Sequence, residues 1–183
     1  KPFSRVDLAM TIRDVVNDLE IQIERTGGVV SVGNLPVIDA DPLQIHQLFQ
    51  NLIGNALKYH RKDVHPIVDI QTQYPNGIKQ GRNLTSHGNG FCQITVTDNG
   101  IGFNEKYAEF IFGMFQRLHR RDEYEGTGVG LSICRKIVER HGGSITAKST
   151  PGEGTKFIIV LPIHQLKRKD NEKKEKSNYH FNG

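Results

Sequence analysis

The sequence predicts an α/β fold, a two-layer sandwich with helices packed on one face of a mixed, mostly antiparallel sheet. Three observations carry that expectation. Apolar residues recur at three- and four-residue steps over 6–23, 42–59 and 129–140, the period of amphipathic helices. Short β-branched and apolar runs follow each of these segments in pairs, as strands do. The helical segments are apolar on one side only, so each needs a flat partner to bury that side. A chain of 183 residues with 36% hydrophobic and 24% charged content suits one domain with a real core.

Leu8, Ile12, Val15, Leu19 and Ile23 predict one helix over 6–23, ended by Gly27-Gly28. Strands are expected at 29–32 and 36–40. The second helix has an explicit start, with Asp41 as N-cap, Pro42 in the first turn and Gln44 placed for a capping box. It runs to about Tyr59. Strands at 67–73 and 91–97 flank a polar surface loop at about 75–90. A short segment at 105–112 and a polar stretch, about 116–127, lead to the third helix at 129–140. His141-Gly142-Gly143 ends that helix. Strands at 144–149 and 155–161 form a hairpin joined by "TPGEGT". The globular unit is expected to cover 1–163, with a charged tail at 164–183.

The net charge is +4, and six basic against three acidic residues between 166 and 178 supply +3 of it. The body is left near neutrality, without the basic face a nucleic-acid partner needs. No apolar run approaches the ~20 residues of a membrane-spanning helix. Cys92 and Cys134 lack the paired spacing of a metal site or disulfide framework and read as buried small hydrophobes, consistent with a reducing cytoplasmic setting.

Three stretches carry chemistry. In "HQLFQNLIGNALKYH", Gln47, Asn51, Asn55 and Lys58 fall on one line of the helix. An amphipathic helix has a polar face in any case, but carboxamides are unusual choices for a freely solvated one. Apolar Ile45, Phe49, Ile53 and Leu57 narrow the stripe until it must be half-buried. In "DNGIGF", Asp98 stands at a strand's end before Gly100 and Gly102; the dipeptide Asn-Gly alone would signal only a turn. An ionised Asp98 accepts hydrogen bonds and cannot donate them, which suits an exocyclic amine. In "GTGVGLSI", Gly126, Gly128 and Gly130 lead into a helix whose first amides and macrodipole favour an anion. Taken singly, those glycines indicate only a flexible junction. Neither a dinucleotide G-x-G-x-x-G nor a G-x-x-x-x-G-K-[ST] phosphate loop occurs.

In this order the stretches resemble the ATP-binding domain of sensor histidine kinases, within the superfamily shared with gyrase, Hsp90 and MutL. "NLIGNALKY" is similar to the N box, "DNGIGF" to the G1 box, "IFGMFQRLH" to the F box, "GTGVGLSI" to the G2 box and "GEGT" to a final G3-like turn. The stretch "FQRLHRRDEYEGTGVGLSICRKIVERHGG" is most similar to phytochrome-type kinases. The likeness runs from about Phe3 to Pro162.

The resemblance implies a Bergerat-type sandwich that holds ATP between sheet and lid. It makes Asn55 the ligand of a Mg2+ ion on the phosphates, with Asn51 in support. Lys58 would neutralise phosphate charge, Tyr59 would lie near the nucleotide, and Asp98 would recognise the adenine amine, with Gly100 and Gly102 giving the base room. Arg117 would reach the terminal phosphate. Gly126, Thr127, Gly128, Val129, Gly130 and Leu131 would hold the phosphate chain, and Thr155 would support the base pocket. Residues at about 116–127 would form the lid.

Such domains pass the γ-phosphoryl group to a histidine on a helical dimerisation domain, which then serves a response regulator. The acceptor histidine usually precedes Glu or Asp, and none of the eight histidines here does. The chain is therefore expected to act on an acceptor carried elsewhere in the full kinase, itself homodimeric while the chain alone is monomeric. The alternative is a GHKL-type ATPase like Hsp90, MutL or gyrase. Those enzymes place a water-activating Glu one turn before the metal-binding Asn, where this sequence has Asn51, a carboxamide that cannot act as a base.

Overall fold

A computed structural model describes residues 3–73, 90–114, 117–118 and 126–165 of the chain. Most of the expected loop at 75–90, most of the lid and all of the tail past residue 165 lie outside the described residues.

The main sheet has five strands: β2 (Val29–Val32), β4 (Ile67–Gln73), β5 (Phe91–Asp98), β7 (Gly154–Pro162) and β6 (Ser144–Thr150), in that spatial order. β2 and β4 are parallel and the other pairings antiparallel. Helices α1 (Leu8–Asp18), α3 (Pro42–Lys58) and α4 (Gly130–Arg140) are packed side by side, α3 against β4 and β5, α4 against β6 and β7. The core alternates along each strand, with Val68 and Ile70, then Cys92, Ile94 and Val96, then Phe157, Ile159 and Leu161 buried against the helices. Both cysteines are fully buried, and burial pushes the Cys134 thiol up to about 12. No helix among the described residues is long and apolar enough to cross a membrane.

The expected single helix over 6–23 divides. Residues Ser4–Asp7 form β1, which pairs antiparallel with β3 (Val37–Ala40) in a separate two-stranded sheet, Val6 opposite Ile38. Val6 is buried as a residue of this strand pair and not on a helical face. Asp7 then caps α1, its Oδ1 accepting from Ala9 N at 2.9 Å and Met10 N at 3.1 Å. At Leu19 the chain leaves helical geometry and restarts as α2 (Glu20–Thr26), just after Asn17 and Asp18, residue types that favour helix ends. The bonds Leu19 N to Val15 O and Ile23 N to Leu19 O keep the apolar period in step across the joint.

α3 starts as expected, with Asp41 Oδ1 accepting from Leu43 N at 3.1 Å and Gln44 N at 3.3 Å. The capping box does not close, since Gln44 Oε1 is buried without a partner among the described residues. Ile45, Leu48, Phe49, Leu52, Ile53 and Leu57 are fully buried, each contributing about 1.5–3 kcal/mol. These residues leave the polar stripe narrow.

His141 ties the start of α3 to the end of α4. It is 1% exposed, accepts a hydrogen bond from Asp41 N through Nε2 at 3.0 Å and donates from Nδ1 to Ile137 O at 2.7 Å, which requires the neutral Nδ1–H tautomer. Phe3 stacks on the ring at 4.5 Å. Burial holds the His141 pKa below its ordinary 6.5. The unfolded chain therefore binds the extra proton first, and the stability contributed by neutral His141, fully present above pH 6.5, is lost as pH falls through the lower folded value. The melting temperature is expected to fall over that window, and less steeply in His141→Gln, which has no proton to gain. Parallel melting curves of the two proteins from pH 7 downward would refute this.

Candidate functional site

Period and sheet register deliver the site residues to one place. Asn51, Asn55 and Lys58 are half-buried on α3, while Gln47, one turn earlier, is exposed. β5 carries Asp98 to its end beside β7, where Thr97 stands opposite Lys156 and Thr155 follows on from the turn. The start of α4 closes the third side. Between them lies a cavity of about 280 Å³.

The cavity has two chemically different ends. One is apolar, built from Ile101, Phe103 and Phe157, and carries Asp98 and Thr155 as its polar groups. Oδ1 of Asp98 accepts from Gly100 N at 2.8 Å and Thr155 N at 3.3 Å. Burial nevertheless raises the Asp98 pKa above the ordinary 3.8; these two hydrogen bonds oppose the shift without cancelling it. The other end is cationic. Lys58 Nζ lies over the Tyr59 ring at 4.8 Å, and Arg117 donates to Gly126 O at 2.6 Å. Among the described residues no side chain caps α4, so the amides of its first turn add partial positive charge at this end. Asn51 Nδ2 reaches Gly130 O at 3.5 Å and links α3 to that helix start.

Asn51, Asn55, Lys58, Tyr59, Asp98, Gly102, Arg117, Gly126, Thr127, Gly128, Gly130, Leu131 and Thr155 all line this cavity. Gly100 and Val129 do not. Gly100 orients the Asp98 carboxylate with its N–H instead, and a side chain there would collide with the Tyr59 carbonyl. Val129 serves as N-cap of α4. Gly102 has φ +59°, and a Cβ on it would strike the Thr150 carbonyl; one on Gly154 would strike the Asp98 carbonyl. These two glycines seat the β6–β7 hairpin against the Asp98 loop, a demand on backbone approach where the sequence expectation gave Gly102, with Gly100, the task of making room for a base. Arg120 and Arg121 lie outside the described residues.

Sequence reasoning passed over the apolar lining, because Ile101, Phe103, Ile111, Leu118 and Phe157 have no chemical signature of their own. It also passed over Asn99, whose Oδ1 accepts from Ile67 N at 2.8 Å and whose Nδ2 donates to His65 O at 3.1 Å, fixing the loop next to Asp98. The polar Asn inside "DNGIGF" was the available signal.

A family-wide sequence profile, that of histidine kinase-, DNA gyrase B- and HSP90-like ATPases, matches residues 40–165. The chain is 40% identical over 157 residues to phytochrome-like protein Cph1 of Synechocystis sp., covering 86% of this chain and 19% of that protein. It is 36% identical over 177 residues to cyanobacterial phytochrome A of Nostoc sp., covering 96% and 21%. It thus spans about a fifth of the length of these curated relatives. Among solved structures, the nucleotide-free catalytic domain of histidine kinase ThkA is similar with a TM-score of 0.70 at 26% identity, covering 90% of this chain and 97% of that one.

Proposed function

The chain belongs to the family of histidine kinase-, DNA gyrase B- and HSP90-like ATPases, and on that premise we propose that it is the ATP-binding catalytic domain of a two-component sensor histidine kinase. In this reading it binds Mg-ATP and donates the γ-phosphoryl group to a histidine on a dimerisation domain of the full kinase, with a response regulator downstream. The observation that carries it is the two-ended cavity. An acidic, apolar end suits a base bearing an amine, and a cationic, amide-lined end suits a polyphosphate.

The residues divide the work. Asp98 and Thr155 orient the base. Lys58, Arg117 and the first amides of α4 hold the phosphates. Asn55 offers the hard oxygen that would hold Mg2+; Asn51 braces the start of α4. When bound there, magnesium would supply charge neutralisation for the transferring group. Phosphoryl transfer needs position and charge compensation above all, so this constellation suffices without a base. Residues 1–163 are the catalytic unit in this assignment, with the lid at about 116–127, and the domain works in the cytoplasm.

Asn55→Ala is expected to lower ATP affinity measured in Mg2+ by at least about tenfold while changing magnesium-free binding little, as read by calorimetry. Equal affinities with and without the metal in the variant and the wild type would sink the Asn55 assignment. The chain should turn ATP over slowly alone and phosphorylate an added acceptor domain on histidine, detectable as acid-labile phosphate. Robust hydrolysis by the chain alone would favour the ATPase reading instead.

A further inference from the structure

Ser149, on β6, does not line the cavity, yet its hydroxyl has three partners. Phe103 N lies at 2.9 Å, Gly154 O at 2.8 Å and Thr155 Oγ1 at 2.9 Å. Their chemistry fixes every proton. An amide N–H can only donate, so Ser149 Oγ accepts from Phe103. A carbonyl can only accept, so the single Ser149 proton goes to Gly154 O. Towards Thr155 only a lone pair remains, and the Thr155 proton must therefore point at Ser149. Both hydroxyl residues are buried, 7% and 9% exposed.

Thr155 Oγ1 then presents lone pairs alone to the cavity it lines. Beside it, Asp98 spends Oδ1 on Gly100 N and Thr155 N, and among the described residues nothing bonds Oδ2. The base end is thus walled by acceptors with no donor among these groups. We propose that Ser149 is a specificity-positioning residue: by locking the Thr155 proton away from the cavity it makes this end select a base bearing a donor amine and reject one bearing a carbonyl at the same place. The proposal rests on the reading that a nucleotide base occupies this end.

Inosine triphosphate is the probe, because it replaces the 6-amino group of ATP by a carbonyl oxygen; N1 becomes an N–H donor at the same time, so each variant is read against the wild-type ratio. Calorimetry on the full chain gives the ATP-over-ITP affinity ratio. Ser149→Ala removes the acceptor, frees the Thr155 hydroxyl to donate into the cavity, and is expected to lower the ratio about three- to tenfold, mainly through tighter ITP binding. Ser149→Thr, which keeps the hydroxyl, should restore the wild-type ratio. Thr155→Val, which keeps the shape and removes the hydroxyl, should also lower the ratio, and adding Ser149→Ala to it should change nothing more. A ratio unchanged in Ser149→Ala, or in Thr155→Val should the first variant not fold, overturns the proposal. So does an equal fall in both affinities, the mark of a merely structural role. Absence of ATP binding by the wild-type chain would instead refute the underlying nucleotide reading.

Discussion

Asp98→Asn is expected to weaken ATP binding about a hundredfold or more without lowering thermal stability. The amide oxygen of the variant can keep the bonds from Gly100 N and Thr155 N, which both fall on one oxygen of the carboxylate. The second oxygen becomes an NH2 that faces the cavity as a donor. A charged hydrogen bond worth about 1.5–3 kcal/mol is lost, and two donors are left facing each other at a further cost of about 1–3 kcal/mol. Calorimetry reads the first effect, and retained affinity would refute the role of Asp98. The stability expectation follows from linkage. Burial raises the folded pKa of Asp98 above 3.8, so the folded state holds the proton more tightly than the unfolded chain does. The group's contribution is most favourable below pH 3.8 and is lost as pH rises through the folded value, leaving the ionised carboxylate a cost at neutral pH. Asparagine removes that cost, so the melting temperature at pH 7 should hold or rise. Wild-type affinity for ATP should itself fall as pH drops through the raised value, since a protonated Asp98 can donate.

Gly102→Ala is expected to destabilise the ligand-free protein by about 2–4 kcal/mol, a drop of about 5–15 °C in melting temperature, and to weaken ATP binding as a consequence. Alanine at φ +59° is strained, and its Cβ would meet backbone on two sides, the Thr150 carbonyl and Gly154 O at 3.0 Å. Backbone on both sides leaves no flexible side chain to give way, so the β6–β7 hairpin must shift and take Thr155 with it. If Gly102 instead only made room for a base, the variant would melt like wild type and lose affinity alone. Thermal melting without nucleotide separates the two.

Much of the site is legible in the sequence because it is periodic or local. Asn51, Asn55 and Lys58 share a helix face by spacing, and "DNGIGF" announces a carboxylate at a strand end. The helix start at Asp41 is equally local, and its cap forms as expected. The illegible parts depend on what lies opposite. Val6 continues the helical period of Leu8 and Ile12 by coincidence, and only its pairing with Ile38 makes it a strand residue. Gln44 has the spacing of a capping box, yet its Oε1 is buried and bonds nothing among the described residues.

By itself the sequence determined the α/β sandwich, the polar stripe of α3, Asp98 and the glycines that enter α4, since these follow from residue type at fixed short spacing. The tertiary structure decided how they act together. Asp98 and Thr155 lie 57 residues apart and meet only through the β5–β7 register. Gly102 and Gly154 prove to serve backbone approach, and Ser149 acquires a role from three partners that no local pattern assembles. Propensity and period act within a few residues of the chain, whereas the direction of a hydrogen bond is set by every donor and acceptor that folding brings around it.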